Sequence, residues 1–309
     1  MRPIHKGGRL RTVAVLCLLT ALTALTACSG KENPAGSSGK PKIIVGAKSN
    51  VTEDRLLGAM TAKLLEVKGI QAEYRELKET DPNRNALLKG EIGLYWEYTG
   101  TALTNFFKVE DIVSDPQQAW QISHDRDAAN GVVWLPPAPL NDANGLAIRS
   151  DDKIGSTFSD LTSWMKDHAD AKWCILPAFR TRADGMPQLK KVYGLDPRNV
   201  VAVDYGPQFG ALDKKQCDVI EVFTTDARTS SSKLTVLDDD KHALPVYNPA
   251  PTVRKQIADA YPNLADTLAP LTKKLDTKTM TTLNGKVDVD LVPVDKVAQD
   301  FLANNKLLS

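Results

Sequence analysis

A repeated helix–turn–strand phrase constrains this chain more than any other feature of its sequence. Ala86-Leu87-Leu88-Lys89-Gly90-Glu91-Ile92-Gly93-Leu94 leads into Glu97-Tyr98-Thr99-Gly100-Thr101. At an offset of 125 (Ala86 to Ala211), Ala211-Leu212-Asp213-Lys214-Lys215-Gln216-Cys217-Asp218-Val219 leads into Val222-Phe223-Thr224-Thr225-Asp226. Both phrases sit in an alternation of short apolar runs and amphipathic stretches. The first set comprises strands at Ile43-Ile44-Val45, Ala72 to Leu77 and Ile92 to Tyr95. One helix opens at Asn50-Val51-Thr52-Glu53, which resembles a capping box, and a second covers Arg84 to Lys89. The second set comprises strands at Lys172 to Leu176, Val200 to Val203 and Val219 to Val222, with helices at Met186 to Tyr193 and Phe209 to Lys214. Such a rhythm predicts the α/β class with two mainly parallel sheets. In open α/β sheets ligands sit beyond the carboxyl ends of the strands, so Tyr98 and Phe223 are expected on facing walls of one cleft. After Pro251 the chain reads as helical, with Ile257, Tyr261, Leu264, Leu268 and Leu271 on one side, and Val297 to Leu302 closes it.

The length of 309 residues suits two medium domains, and 42% hydrophobic with 25% charged residues describes a globular chain. Lys and Arg number 39 against 38 Asp and Glu, so no nucleic-acid footprint is present. The balance is uneven along the chain. Residues 1–27 carry Arg2, Lys6, Arg9 and Arg11 and no acidic residue, followed by the uncharged stretch Thr12 to Ala27. That stretch is too short to span a bilayer comfortably and ends in small residues, as an export signal does. Leu25-Thr26-Ala27-Cys28 resembles a bacterial lipobox, which predicts a signal peptide over 1–27 and lipidation of Cys28; an ordinary signal peptide or a short anchor is the alternative. Residues 28–41 are rich in Gly, Ser and Pro and read as a tether. Cys174 and Cys217 then remain in an oxidising compartment, where they form either a disulfide or two buried thiols. Catalytic signatures are missing: no GxSxG, HExxH, P-loop or GxGxxG follows a strand, and His124, His168 and His242 lie near no nucleophile motif. The sequence predicts no enzyme, no cofactor and no metal site.

Five motifs fall in order: Gly46-Ala-Lys-Ser-Asn-Val-Thr-Glu53, Glu97-Tyr-Thr-Gly-Thr101, Trp134-Leu-Pro-Pro-Ala-Pro-Leu-Asn-Asp142, Arg182-Ala-Asp-Gly185 and Tyr247-Asn-Pro-Ala-Pro251. Together they resemble the substrate-binding proteins of ABC importers for glycine betaine, choline and related osmoprotectants. The resemblance implies a bilobal, periplasmic-binding-protein-like clamp with two crossovers near 145 and 247. Lobe 1 would comprise 42–145 and 248–309, and lobe 2 would comprise 146–247. It also implies an aromatic cage that holds a quaternary ammonium by cation–π attraction. Tyr98 and Thr101 match the cage Tyr and its neighbouring Thr, Arg182 the carboxylate-binding Arg, and Tyr247 a late cage Tyr. Phe223 takes the place of a further aromatic, and Asp142 closes the Pro-rich motif. Two positions depart from the pattern. Asn144 stands where a Tyr is usual, and Asp54 stands where Gln is usual, which is expected to put a negative charge at the cleft. The implied partners are a small quaternary amine or compatible solute and the membrane permease, with the protein a lipid-anchored extracytoplasmic monomer. A clamp with a drifted ligand, or a secreted hydrolase or adhesion module, are the competing readings.

Overall fold

A computed structural model describes residues 39–78, 80–203, 206–231 and 233–308. The leader over 1–27, Cys28 and most of the tether fall outside the described residues. Two five-stranded mixed sheets form the body. The first holds β1 (Ile43–Lys48), β2 (Ala72–Leu77), β3 (Leu94–Tyr98), β4 (Val132–Trp134) and β10 (Pro249–Arg254), in the order β2-β1-β3-β10-β4. The second holds β5 (Asn144–Arg149), β6 (Lys172–Ile175), β7 (Asn199–Ala202), β8 (Val219–Phe223) and β9 (Leu234–Val236), in the order β7-β6-β8-β5-β9. Each sheet has a parallel trio, completed by an antiparallel strand that the chain supplies as it arrives from the other sheet.

Both faces of the central strands β1 and β3 are covered, which is why these are mostly apolar, whereas the edge strand β2 carries Glu73, Arg75 and Glu76. Ile43, Val45, Leu94 and Trp96 face a core made with the helices Thr52–Val67, Leu264–Thr272 and Val294–Asn304. Tyr95 and Ala250 face the opposite way, onto Ala86, Leu87 and Trp134. The second sheet alternates in the same manner, with Trp173 and Ile175 on one face and Cys174 and Ile220 on the other. Cys174 and Cys217 are joined by a disulfide, their Cα atoms 5.9 Å apart.

The α/β architecture read from the sequence is present, and so is the repeat. Val45 pairs with Leu94 as Trp173 pairs with Val219. The turn ahead of β3 is closed by the Glu91 amide donating to the Ala86 carbonyl at 2.8 Å. Its counterpart ahead of β8 is Gln216 to Ala211, also 2.8 Å. Gly90 and Lys215 hold the same left-handed turn position, at φ 80° and 57°. Several boundaries moved. The helix before β3 starts at Thr80 rather than Arg84, and β3 begins at Leu94 rather than Ile92, because Ile92 belongs to the turn. β10 was unexpected, since Pro249 and Pro251 argue against a central strand. Those prolines are tolerated because their carbonyls do the pairing, accepting from Ala138 (2.8 Å) and Leu135 (2.9 Å). The apparent capping box also fails. Val51 is the N-cap and makes no side-chain cap, and Glu53 turns away to another partner.

Candidate ligand-binding site

A cavity of about 430 Å³ opens where β1 and β8 end. Its lining includes Thr52, Glu53, Asp142, Phe223, Arg228 and Asn284. Four separate stretches of chain converge there: the start of the helix Thr52–Val67, the segment leading into β5, the end of β8 with the residues after it, and the helix Thr277–Asp288. Of the residues singled out in the sequence, Asp142 and Phe223 line this cavity directly. Tyr98 is buried behind it and reaches it through Glu53, whose Oε1 accepts from the Tyr98 hydroxyl at 2.7 Å.

The sequence spells Glu53 as part of a capping box, whereas in the structure it lines the cavity, which sequence reasoning does not show. The only available signal was its place at the end of the Gly46-to-Glu53 motif. Its other oxygen accepts from Asn284 Nδ2 at 3.3 Å, and that same nitrogen donates to the Thr225 carbonyl at 3.1 Å. Thr225 in turn donates its hydroxyl to Asp142 Oδ1 at 2.6 Å. A polar chain, Tyr98–Glu53–Asn284–Thr225–Asp142, therefore links elements of both sheets across the cavity.

Asp54 is placed differently from expectation. It is not an exposed negative charge at the cleft but is buried against Lys48, with Nζ 3.5 Å from Oδ1. The Lys48 ammonium also lies over the Tyr98 ring, 4.8 Å from its centroid. Below them Glu97 is completely buried, accepting from the Tyr98 amide and the Tyr95 hydroxyl, both at 2.8 Å. Burial opposes the charge on Lys48, but Asp54 and Glu97 outweigh it and hold the pKa above its ordinary value. Burial raises all four carboxyls. Asp54 goes to about 7 in spite of Lys48, Glu97 rises with Lys48 opposing, and Glu53 rises further because Asp142 is near. Asp142 itself rises through burial. Lys48 is set among four carboxyls whose raised pKa values hold back their ionisation, so the site gains negative charge as pH rises.

Arg182 and Tyr247 come together, but outside the residues lining this cavity. Arg182 forms a two-pronged pair with Asp184 and donates to the Tyr247 hydroxyl at 2.7 Å, while that hydroxyl donates to Asp184 at 2.9 Å. Tyr247 lies flat against Gly100, where a Cβ would sit 2.6 Å from its ring, so Gly100 is what lets the ring approach. Thr101 is half-buried one turn beyond Tyr98. Asn144 pairs with Phe223 across the β5–β8 ladder but lines a different cavity, of about 350 Å³, together with Phe158 and Asp239.

Two α/β sheets of one shared topology, with a polar cavity at the strand ends, define a periplasmic-binding-protein-like fold. Residues 41–304 match the OpuAC family, the substrate binding domain of ABC-type glycine betaine transport systems, and the chain belongs to that family. It is therefore a binding protein and not an enzyme. It is 32% identical to the glycine-betaine-binding protein of Pseudomonas aeruginosa, over 96% of each chain. The glycine betaine-binding protein YehZ of Escherichia coli is 31% identical over 84% of this chain and 89% of its own. The crystal structure of a glycine betaine/carnitine/choline ABC transporter superposes with a TM-score of 0.78 at 25% identity. That likeness covers 86% of this chain and all of the other (100%).

Proposed function

We propose that this chain is the extracytoplasmic receptor of an ABC importer for glycine betaine, choline or a related quaternary amine. It is anchored through a lipid on Cys28 and releases its ligand to the membrane permease. The division into 42–145 with 248–309 and 146–247 supplies two lobes, and the segments near 145 and 247 serve as the hinge between them. The observation that carries this reading is the cavity of about 430 Å³ at the strand ends, where Glu53, Asp142 and Phe223 meet in a chain of this family. Tyr98, Phe223 and Tyr247 supply the aromatic faces for the ammonium, brought together as the lobes close. Thr101 and Asn144 border this arrangement. Arg182 holds a ligand carboxylate only by exchanging it for Asp184, its partner in this structure.

The test is a calorimetric titration of the purified chain, unfolded and refolded to strip carried-over solute, with glycine betaine, choline and carnitine in turn. Saturable binding of at least one of them at micromolar concentration, about −8 kcal/mol, is the expected result. No heat with any of the three, from protein shown to be folded, overturns the reading. A mass of the membrane-extracted protein lacking a diacylglyceryl group would separately overturn the anchor at Cys28.

A further inference from the structure

The charges around the cavity do not suit every quaternary amine equally. Glu53 and Asp142 both line it, and neither makes an ion pair among the described residues. Lys48 faces this region but is committed to Asp54 and Glu97. Arg228, which also lines the cavity, pairs with Asp226 through two nitrogens, at 2.9 and 2.7 Å. Arg182 is held by Asp184 and Tyr247 and does not line it. A second, independent feature points the same way. Asn284 is 95% buried (5% exposed), lines the cavity, and its side-chain carbonyl oxygen has no hydrogen-bond partner. An unpaired acceptor beside two carboxylates wants a donor or a cation, and it repels a third carboxylate.

We propose that Glu53 and Asp142 together act as the counter-ion of the ligand, so that the preferred solute is a net cation of the choline type, with a quaternary or protonated amine and no carboxylate, rather than a zwitterion of the betaine type. This rests on the ligand class proposed above and narrows it. In this arrangement Asn284 accepts a hydrogen bond from the hydroxyl or N–H of the cation. A carboxylate-bearing ligand would bring its negative end against Glu53, Asp142 or Asp288, with each nearby guanidinium already paired. The choice between two ligands of similar size is then made by repulsion as much as by attraction.

A pH dependence follows. Tyr98, Asp142 and Asp54 act on Glu53 directly, Lys48 and Glu97 lie behind Asp54, and Asp226, Arg228 and Asp288 line the same cavity. Carboxyls dominate this set, so the empty site retains protons that an arriving cation expels. Affinity for the cation therefore rises with pH.

The experiment is a competition between choline and glycine betaine on the intact protein, read by calorimetry in two buffers of different ionisation heat, from about pH 6 to about pH 8.5. Choline is expected to bind at least about tenfold tighter, more tightly at the higher pH, and with release of protons. Glu53→Gln and Asp142→Asn keep size and hydrogen-bonding shape, and each should narrow the preference to within about threefold, with thermal melts confirming that both fold. Betaine binding as tightly as choline to the unaltered protein overturns the inference and leaves the broader ligand class standing. Equal weakening of both ligands in both variants overturns it too. Failure of every quaternary amine to bind overturns the broader class and this inference with it.

Discussion

Two positions in the first sheet and their counterparts in the second solve one packing problem differently. Gly46 in β1 lies beneath Ile92 in the turn before β3, and a Cβ on Gly46 would sit 2.6 Å from the Ile92 Cδ1. Aligning Val45–Leu94 with Trp173–Val219 makes Cys174 the counterpart of Gly46 and Cys217 that of Ile92. One sheet fills the gap between strand and turn with a branched side chain over a glycine, and the other closes it covalently. Two residues further along, the contrast turns functional. Lys48 corresponds to Leu176, Glu97 to Val222 and Tyr98 to Phe223. At these three positions the first sheet carries an ionisable network and the second carries apolar side chains, its charged groups lying instead at Glu221 and beyond the strand at Asp226 and Arg228. The comparison teaches that a shared topology fixes where the strand ends meet, while the residues at equivalent strand ends give them different chemistry.

Removing the disulfide attacks one side of the comparison with the largest expected effect. For a span of 43 residues, chain entropy predicts that Cys174→Ala with Cys217→Ala costs about 4 kcal/mol, measured by urea unfolding. A loss below about 1 kcal/mol would mean that the two sheets do not differ in how this gap is secured.

Lys48→Met comes next, because it makes the end of the first sheet resemble Leu176 and leaves Asp54 without its cation. Above the Asp54 value of about 7 the expected loss grows by up to about 1.4 kcal/mol per pH unit, because the unpaired Asp54 protonates instead, and it vanishes toward pH 5. The sign follows from the folded protein holding the Asp54 proton more tightly than the unfolded chain does. That contribution is complete below the unfolded value near 3.8 and is lost as pH rises to about 7. A pH-independent loss in thermal melts would show that Lys48 acts only by filling space.

The smallest effects sharpen the packing itself. Gly46→Ala should cost about 1–2 kcal/mol by crowding Ile92 and Asn83, and Ile92→Val about 1 kcal/mol. Combined, they should cost less than their sum, because Val withdraws the atom that the new methyl meets; strict additivity would deny that the two positions share one gap.

Much of this was legible in the sequence. The 125-residue repeat located β3 and β8 and their turns, because a helix–turn–strand unit is written in local periodicity and in one left-handed turn residue. The pairing partners of Tyr98 and Phe223 were not legible. β5 and β10 join their sheets through contacts more than a hundred residues apart for β10 and about eighty for β5, and two prolines disguise β10. Glu53 was misread for a related reason. Thr-Glu at a helix start has the same local spelling whether the Glu caps its own helix or turns to Tyr98, and only the neighbour chooses. Asp54 looked like a repelling charge because Lys48, six residues upstream, sits beside it only once β1 and the helix have packed. The sequence by itself determined the fold class, the paired strand ends and the family, since these depend on periodicity and motif order. Tertiary structure alone decided which charges are paired and which remain for a ligand, because burial and distance set an ionisable group's state and neither is written locally.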